Sequence, residues 1–151
     1  MKAPVQKIWQ WEHSYAELPS HCFSEAPPSP VPQPELALYN AAWAEEIGLG
    51  GLNDLPPETL AEVFSGNRIP PGGKPIAMAY AGHQFGGYNP QLGDGRAINL
   101  FEIEHQNKNW KVQLKGAGET PYSRTADGLA VLRSSIREYL CAEAMFHLGV
   151  P

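Results

Sequence analysis

Apolar and polar residues alternate most regularly between residues 96 and 115. Residues 96–104 predict a strand, the polar run 105–109 predicts a turn, and residues 110–115 predict a returning strand. One face of the returning strand is apolar and is formed by Trp110, Val112 and Leu114. The pattern therefore predicts a β-hairpin that ends with Lys115 on its polar face.

Helical periodicity recurs in three other segments. Residues 35–49 and 56–65 predict two N-terminal helices that glycines bring to an end. Residues 129–148 predict the longest helix, and we expect one apolar stripe of it to be buried: Leu129, Leu132, Ile136, Leu140 and Ala144. Residues 76–81 predict a further short strand. Together these elements predict an α+β fold with a small antiparallel sheet, one long helix and N-terminal helices.

Glycine-rich segments separate these elements. Residues 82–90 are too polar and too rich in glycine for an ordinary core, and residues 92–96 predict a tight turn. Residues 116–128 predict a loop before the long helix, in which Thr125 or Asp127 is expected to cap that helix. The backbone N–H groups at such a helix start could instead receive phosphate oxygens.

A run of prolines at residues 27–34 is expected to be extended. We interpret it as a stiff connector lying on the domain surface, and the alternative is a docking segment for a proline-binding module. At the other end of the chain, Gly149 and Pro151 form a helix stop signal with no polar tail after it. This ending predicts that the chain is the front part of a longer protein.

Composition narrows the class of protein. The chain has 151 residues, is 42% hydrophobic and carries a net charge of −5, which indicates a globular domain and argues against a nucleic-acid binder. No apolar run approaches the roughly 18 residues that a membrane span needs. Cys22 and Cys141 have no metal-binding spacing and predict free thiols, and neither His83 nor His147 has a ligand partner by spacing. We expect a soluble, cytoplasmic protein.

Three candidate functional features follow one another along the chain. A glycine-rich turn with Gly93, Gly95 and Arg96 comes first, Lys115 ends the predicted hairpin, and Glu138 lies at the edge of the apolar stripe of the long helix. A kinase-type N-lobe presents its phosphate loop, its phosphate-binding lysine and the carboxylate that orients this lysine in the same order. Each feature alone has an ordinary alternative: a local Asp-Gly turn, a solvated lysine and a surface helix charge.

The longer motifs of the chain resemble the selenoprotein O family, also called SelO or YdiU. The resemblance is carried by residues 82–86, 90–97, 113–118, 120–124, 126–128 and 131–140, which read GHQFG, PQLGDGRA, QLKGAG, TPYSR, ADG and VLRSSIREYL. The clear matches cover residues 75–151, whereas the N-terminal part is compatible but less specific.

The resemblance implies a protein-kinase-like fold that binds ATP and transfers AMP, rather than phosphate, to Ser, Thr or Tyr hydroxyls of protein substrates. Residues 1–74 would be an N-terminal extension with the proline-rich connector and helices, and residues 75–151 a kinase-like nucleotide-binding N-lobe without its C-lobe. By matching motifs, Glu138 pairs with and orients Lys115, and the residues expected to bind ATP are Gly93, Gly95, Arg96, Lys115, Asp127 and Gly128.

The same resemblance implies Mg²⁺, whose ligands, with the catalytic base, would belong to a C-terminal part. No catalytic or metal-binding residue is therefore assigned here, and the chain alone is expected to bind nucleotide without turnover. Leu129 departs from the family, which has arginine at this position. Two alternatives stay open: a phosphoryl-transferring kinase-like enzyme, and a non-catalytic interaction module in which Lys115 and Glu138 form a structural ion pair.

Overall fold

A computed structural model describes residues 12–150, so residues 1–11 of the predicted N-terminal extension and the terminal Pro151 lie outside the described residues. The fold is α+β, as predicted. The strands are β1 Phe23–Glu25, β2 Ile76–Gln84, β3 Gly87–Gly93, β4 Ala97–His105 and β5 Lys108–Lys115. The α-helices are α1 Ala41–Glu46, α2 Pro57–Ser65 and α3 Leu132–His147, and short 3₁₀ helices occupy Ser14–Glu17, Ser20–Cys22 and Gly50–Asp54.

The strands form one antiparallel, five-stranded sheet. Its order is β1-β2-β4-β5, and β3 pairs with the part of β2 that extends beyond the other strands. The predicted hairpin of β4 and β5 is confirmed, with a turn shorter than predicted, since only Gln106 and Asn107 separate the strands. Both turn residues have positive φ, 52° and 60°, as the tightest hairpin turns require.

The pairing of β2 with β3 was not foreseen from the sequence. The strand predicted at residues 76–81 continues to Gln84, and a turn at Phe85 and Gly86 returns the chain into β3. Beyond Tyr80 most residues of this hairpin are exposed, so no apolar alternation marks it. The prediction that residues 82–90 lie outside the core is confirmed.

The core lies between β4 and the N-terminal helices. Ile98 and Leu100 of β4 are fully buried and pack with Leu52 and Leu60 from the helical part of the chain. One apolar cluster therefore contains residues from both sides of the predicted division at residues 74 and 75. That division stays a prediction of where the nucleotide-binding part begins.

The two N-terminal helices differ in how well periodicity predicted them. Helix α2 is confirmed and ends at Gly66, whose φ of 88° is left-handed. The prediction of a helix over residues 35–49 is wrong about its length, because α1 covers only Ala41–Glu46. The Asn40 side chain accepts a hydrogen bond from the Trp43 backbone and caps the helix, so residues 35–40 stay outside it.

Helix α3 is confirmed as the longest helix, but its predicted start, cap and buried stripe are wrong. The helix begins at Leu132, and Val131 precedes it without any side-chain cap. All five residues of the predicted stripe are exposed. Near its C-terminal end, the helix contacts the rest of the protein through Phe146, whose ring lies 4.9 Å from that of Trp43, and through Glu143, which accepts a hydrogen bond of 2.6 Å from Asn40. Periodicity identifies the residues that share one face of a helix, but it does not show whether that face is buried or exposed.

The proline-rich segment lies against the domain. The Ser29 backbone N–H donates one hydrogen bond of 2.8 Å to the Ala117 carbonyl, and Val31 exchanges two hydrogen bonds with the Asn67 side chain, each 2.8 Å long. Cys22 and Cys141 carry free thiols, as predicted. Within residues 12–150, every helix is too short or too polar to cross a membrane.

We expect Asn107→Gly to raise the free energy of unfolding by up to about 1 kcal/mol, because glycine adopts positive φ without a steric penalty. The matched control is Asn109→Gly, two residues later and inside β5, which should lower the free energy of unfolding by about 0.5–1 kcal/mol. Urea unfolding of both variants measures the two changes. Shifts in the same direction would contradict this account of the turn.

Candidate functional site

Three charged side chains meet at the end of the sheet where β5 finishes. Glu138 Oε2 lies 3.0 Å from Lys115 Nζ, and Glu138 Oε1 lies 3.9 Å from Arg96 Nη2. The three side chains are each about half exposed, at 53% for Lys115, 46% for Arg96 and 49% for Glu138. One carboxylate thus bridges two cations, and the structure brings Glu138 into direct contact with Lys115.

The hairpin register brings the two cations together. Ala97 pairs directly with Lys115, and the Gly116 backbone N–H donates to the Arg96 carbonyl at 2.7 Å. Arg96 and Lys115 are therefore neighbours across the open end of the hairpin. Helix α3 then places Glu138 opposite both of them.

The pKa of Glu138 is lowered from its ordinary value. The main causes are the hydrogen bond from Lys115 and its positive charge, and the Arg96 and Arg137 guanidinium groups add smaller contributions in the same direction. The lowered pKa means that the carboxylate stays ionised, and Lys115 keeps an anionic partner, to a lower pH than for an isolated glutamate.

A cleft of about 530 Å³ opens beside this cluster. Residues from β2, β3, the turn before β4 and the loop before α3 line it. Five of the predicted site residues contribute to the lining, namely Gly93, Gly95, Arg96, Asp127 and Gly128. Lys115 is not a lining residue but is connected to the cleft through Glu138 and Arg96. A volume of this size is within the usual range for small-molecule sites.

Close packing explains Gly93 and Gly95. A Cβ on Gly93 would overlap the Tyr122 ring, and one on Gly95 would lie 2.9 Å from the Tyr122 carbonyl oxygen. Gly93 and Gly95 both lie in the described part of the chain, and neither has a positive φ. The sequence suggested glycines that allow a turn and a close ligand, whereas the structure shows that both also make room for the loop at Tyr122.

A buried polar network holds that loop against the turn. The Thr120 hydroxyl donates to the Asp94 carbonyl at 2.6 Å, and the Ser123 hydroxyl donates to the Gly95 carbonyl. The Asp94 carboxylate in turn accepts hydrogen bonds from the Met78 backbone at 3.1 Å and from the Asn99 side chain at 3.2 Å. Sequence reasoning gave no role to these hydroxyls, although they lie in the motif TPYSR.

Asp127 and Gly128 form the other side of the cleft. The exposed Asp127 carboxylate accepts a hydrogen bond of 2.9 Å from the Leu129 backbone, so it closes a local turn rather than capping α3. Gly128 has a φ of 69°, and a Cβ there would overlap the backbone of Gly118. Glycine is required at this position for steric reasons alone.

Arg124, Gln84 and Tyr80 also line the cleft, and none of them was assigned as a site residue from the sequence. Arg124 Nη2 donates to Gln84 Oε1 at 2.6 Å, which joins the loop before α3 to the end of β2. The Tyr80 hydroxyl donates to the Gly93 carbonyl at 3.1 Å, and burial together with the Asp94 charge raises its pKa.

No group of three or more His, Cys, Asp or Glu residues that could hold a metal occurs within residues 12–150. The two histidines without a predicted role contact aromatic rings instead. The His83 ring lies 5.4 Å from that of Tyr88, and the His147 ring lies 5.4 Å from that of Phe146.

Comparison with known proteins identifies a family. Residues 6–151 match the family model described as protein adenylyltransferase SelO. Three similar proteins are each named protein nucleotidyltransferase YdiU. The protein from Flavobacterium johnsoniae is 57% identical over 85% of this chain, and the one from Rhizobium rhizogenes is 51% identical over 93%. The protein from Vibrio parahaemolyticus is 49% identical over 95% of this chain. The chain spans only 24%, 28% and 30% of the lengths of these relatives.

We expect Gly93→Ala to lower the free energy of unfolding by about 1–3 kcal/mol, because the added Cβ overlaps the Tyr122 ring. In a Tyr122→Ala background the ring is absent, and the same substitution should cost less than half as much. Thermal unfolding of the two single variants and the double variant measures this coupling. An equal loss in both backgrounds would show that Tyr122 is not the reason for this glycine.

We expect Lys115→Ala to raise the pKa of Glu138, because Lys115 is the main cause of its lowering. Since the folded-state pKa is below the unfolded one, the interaction stabilises the fold above the unfolded pKa and is lost as pH falls through the folded pKa. A carboxyl titration followed by NMR measures the change. Arg137→Ala is the control and should raise this pKa less; a larger rise there would contradict the assignment.

Proposed function

Because the chain belongs to the SelO family of nucleotidyltransferases, we propose that it is the ATP-binding portion of a protein adenylyltransferase. The whole protein would transfer AMP from ATP to Ser, Thr or Tyr hydroxyls of cytoplasmic proteins. In this proposal the sheet and α3 correspond to the N-lobe of a kinase-like fold. The lengths of the relatives leave room for a second lobe.

The observation that carries the proposal is the contact of Lys115 and Arg96 with one carboxylate beside a glycine-lined cleft. A triphosphate is recognised by a lysine as a point charge and by the planar fork of an arginine. The cleft lining contains two arginines, Arg96 and Arg124, against one acidic residue, Asp127, although the chain as a whole has a net charge of −5. Cationic groups are thus concentrated where an anionic ligand would bind.

Each predicted residue has a role in this proposal. Lys115 and Arg96 would bind phosphate oxygens, and Glu138 would hold Lys115 in position. Gly93 and Gly95 would give a ligand access to the turn. The Asp127 carboxylate would repel a phosphate, so it suits a ribose or base contact better, and Gly128 maintains the turn beside it.

In AMP transfer, the acceptor hydroxyl oxygen forms a bond to the α-phosphorus while the bond from that phosphorus to the bridging oxygen breaks. Pyrophosphate leaves, and the hydroxyl proton passes to a base. Cations held in place before the reaction stabilise the negative charge that shifts onto the departing phosphates. Lys115 and Arg96 are the groups of this chain that would do so.

The residues present do not fit Mg²⁺ on their own. Asp127, the one acidic residue among the cleft lining described here, already accepts a backbone hydrogen bond, and no metal-binding cluster accompanies it within residues 12–150. We therefore assign no step of this chain to a metal. The catalytic base likewise has no candidate among the described cleft residues.

We expect Lys115→Ala to weaken ATP binding by about tenfold or more, since a charged hydrogen bond contributes about 1.5–3 kcal/mol. The control is Lys108→Ala, at the opposite end of the same strand. Calorimetric titration of the folded chain and both variants, with and without Mg²⁺, gives the affinities. If the unaltered chain does not bind ATP, or binds it equally without Lys115, the proposal fails.

The type of transfer is tested on a longer protein of the relatives' length, with ATP labelled at the α- or the γ-phosphorus. AMP transfer leaves the α label on the acceptor, whereas phosphoryl transfer leaves the γ label. Incorporation of the γ label alone would assign an ordinary kinase reaction and contradict the proposed chemistry. Incorporation of neither label by an ATP-binding protein would favour the interaction module.

A further inference from the structure

Arg124 adopts a backbone conformation that an arginine does not favour. It has a φ of 61° and is the second residue of a turn closed by the Ala126 N–H and the Ser123 carbonyl at 3.1 Å. Turns with positive φ at this position favour Gly, Asn or Asp. A non-glycine residue held in this region is strained, and such outliers cluster at ligand sites.

The guanidinium group of Arg124 has a neutral partner. It donates to the amide oxygen of Gln84 at 2.6 Å, and no carboxylate lies within ion-pair distance of it among residues 12–150. The adjacent Asp127 carboxylate accepts from the Leu129 backbone instead. The Arg124 side chain therefore brings an uncompensated positive charge into the lining of the cleft.

The surrounding structure fixes where this charge is placed. The Thr120 and Ser123 hydroxyls hold the preceding residues onto the backbone of Asp94 and Gly95. Gln84, the last residue of β2, holds the guanidinium from the other side. A phosphate carries the opposite charge and can accept two parallel N–H bonds from the planar guanidinium, whereas the Gln84 amide oxygen is neutral. A phosphate is therefore a better partner for Arg124 than the Gln84 amide.

We propose that Arg124 is a phosphate-binding residue of the nucleotide cleft, additional to Arg96 and Lys115, and that Gln84 is its positioning residue. This inference builds on the proposed function and concerns the polyphosphate part of a nucleoside triphosphate. Arg124 receives the phosphates in exchange for, or together with, its contact to Gln84. The end of the β2–β3 hairpin is thereby connected to the bound nucleotide.

The decisive variant is Arg124→Gly. Glycine favours the observed φ, so this change removes the guanidinium without disturbing the turn, and thermal stability should be unchanged or higher. We expect ATP and inorganic tripolyphosphate to bind about tenfold more weakly or worse, and adenosine to bind as before. The control is Arg68→Ala, an exposed arginine outside the cleft lining, which should leave all three affinities unchanged.

The role of Gln84 is tested by Gln84→Ala in both backgrounds. Removal of a positioning residue lowers ATP affinity only while Arg124 is present, so the loss of affinity should be a few-fold in the unaltered chain and absent beside Arg124→Gly. An equal loss in both backgrounds would overturn this role.

The outcomes separate the two proposals. Failure of the folded, unaltered chain to bind ATP overturns both. Unchanged ATP binding by Arg124→Gly, while Lys115→Ala still loses it, overturns only the inference about Arg124. Equal weakening of adenosine and ATP also overturns it, because the cleft shape rather than a phosphate contact would then be affected.

Discussion

The register of the β4–β5 hairpin is the constraint on which the candidate site depends. Because Ala97 is opposite Lys115, Arg96 and Lys115 lie side by side at the end of the sheet, within reach of one carboxylate on α3. A slip of one residue would turn every side chain of one strand to the other face. Leu114 of β5 opposes such a slip, since it pairs with Ile98 in the buried core and a polar neighbour, Gln113 or Lys115, would take its place. Hydrophobic packing thus fixes an electrostatic arrangement.

The second constraint is the polar network around Asp94. Its carboxylate is tied to β2 and β4 through Met78 and Asn99, while its carbonyl accepts from the loop before α3 through Thr120. Asp94 is buried, and a buried carboxylate is stable only when hydrogen bonds compensate its lost hydration. These contacts explain why two segments that are distant in sequence line one cleft. They also explain why the Asp-Gly sequence here is more than a turn signal.

The sequence predicted the elements with a clear local signal. The β4–β5 hairpin, helix α2 and the existence of α3 followed from periodicity and glycine stops, and the proximity of Lys115 and Glu138 followed from the order of motifs. The β2–β3 hairpin was missed because exposed strands have no apolar alternation. The apolar stripe of α3 was wrongly predicted to be buried, because an amphipathic pattern does not identify which part of the protein packs against the apolar face. The contacts of Arg124 and Thr120 could not be predicted, since they join residues 40 and 26 positions apart in the sequence.

The sharing of Glu138 between Lys115 and Arg96 has a consequence for the energetics of ligand binding. Two cations brought this close repel each other, and the carboxylate between them offsets that repulsion during folding. The cluster therefore has a residual charge of one unit, already oriented. An anion that binds here does not have to bring separate side chains together or overcome their mutual repulsion. Preorganisation of this kind increases affinity by lowering the reorganisation that binding requires rather than by adding contacts.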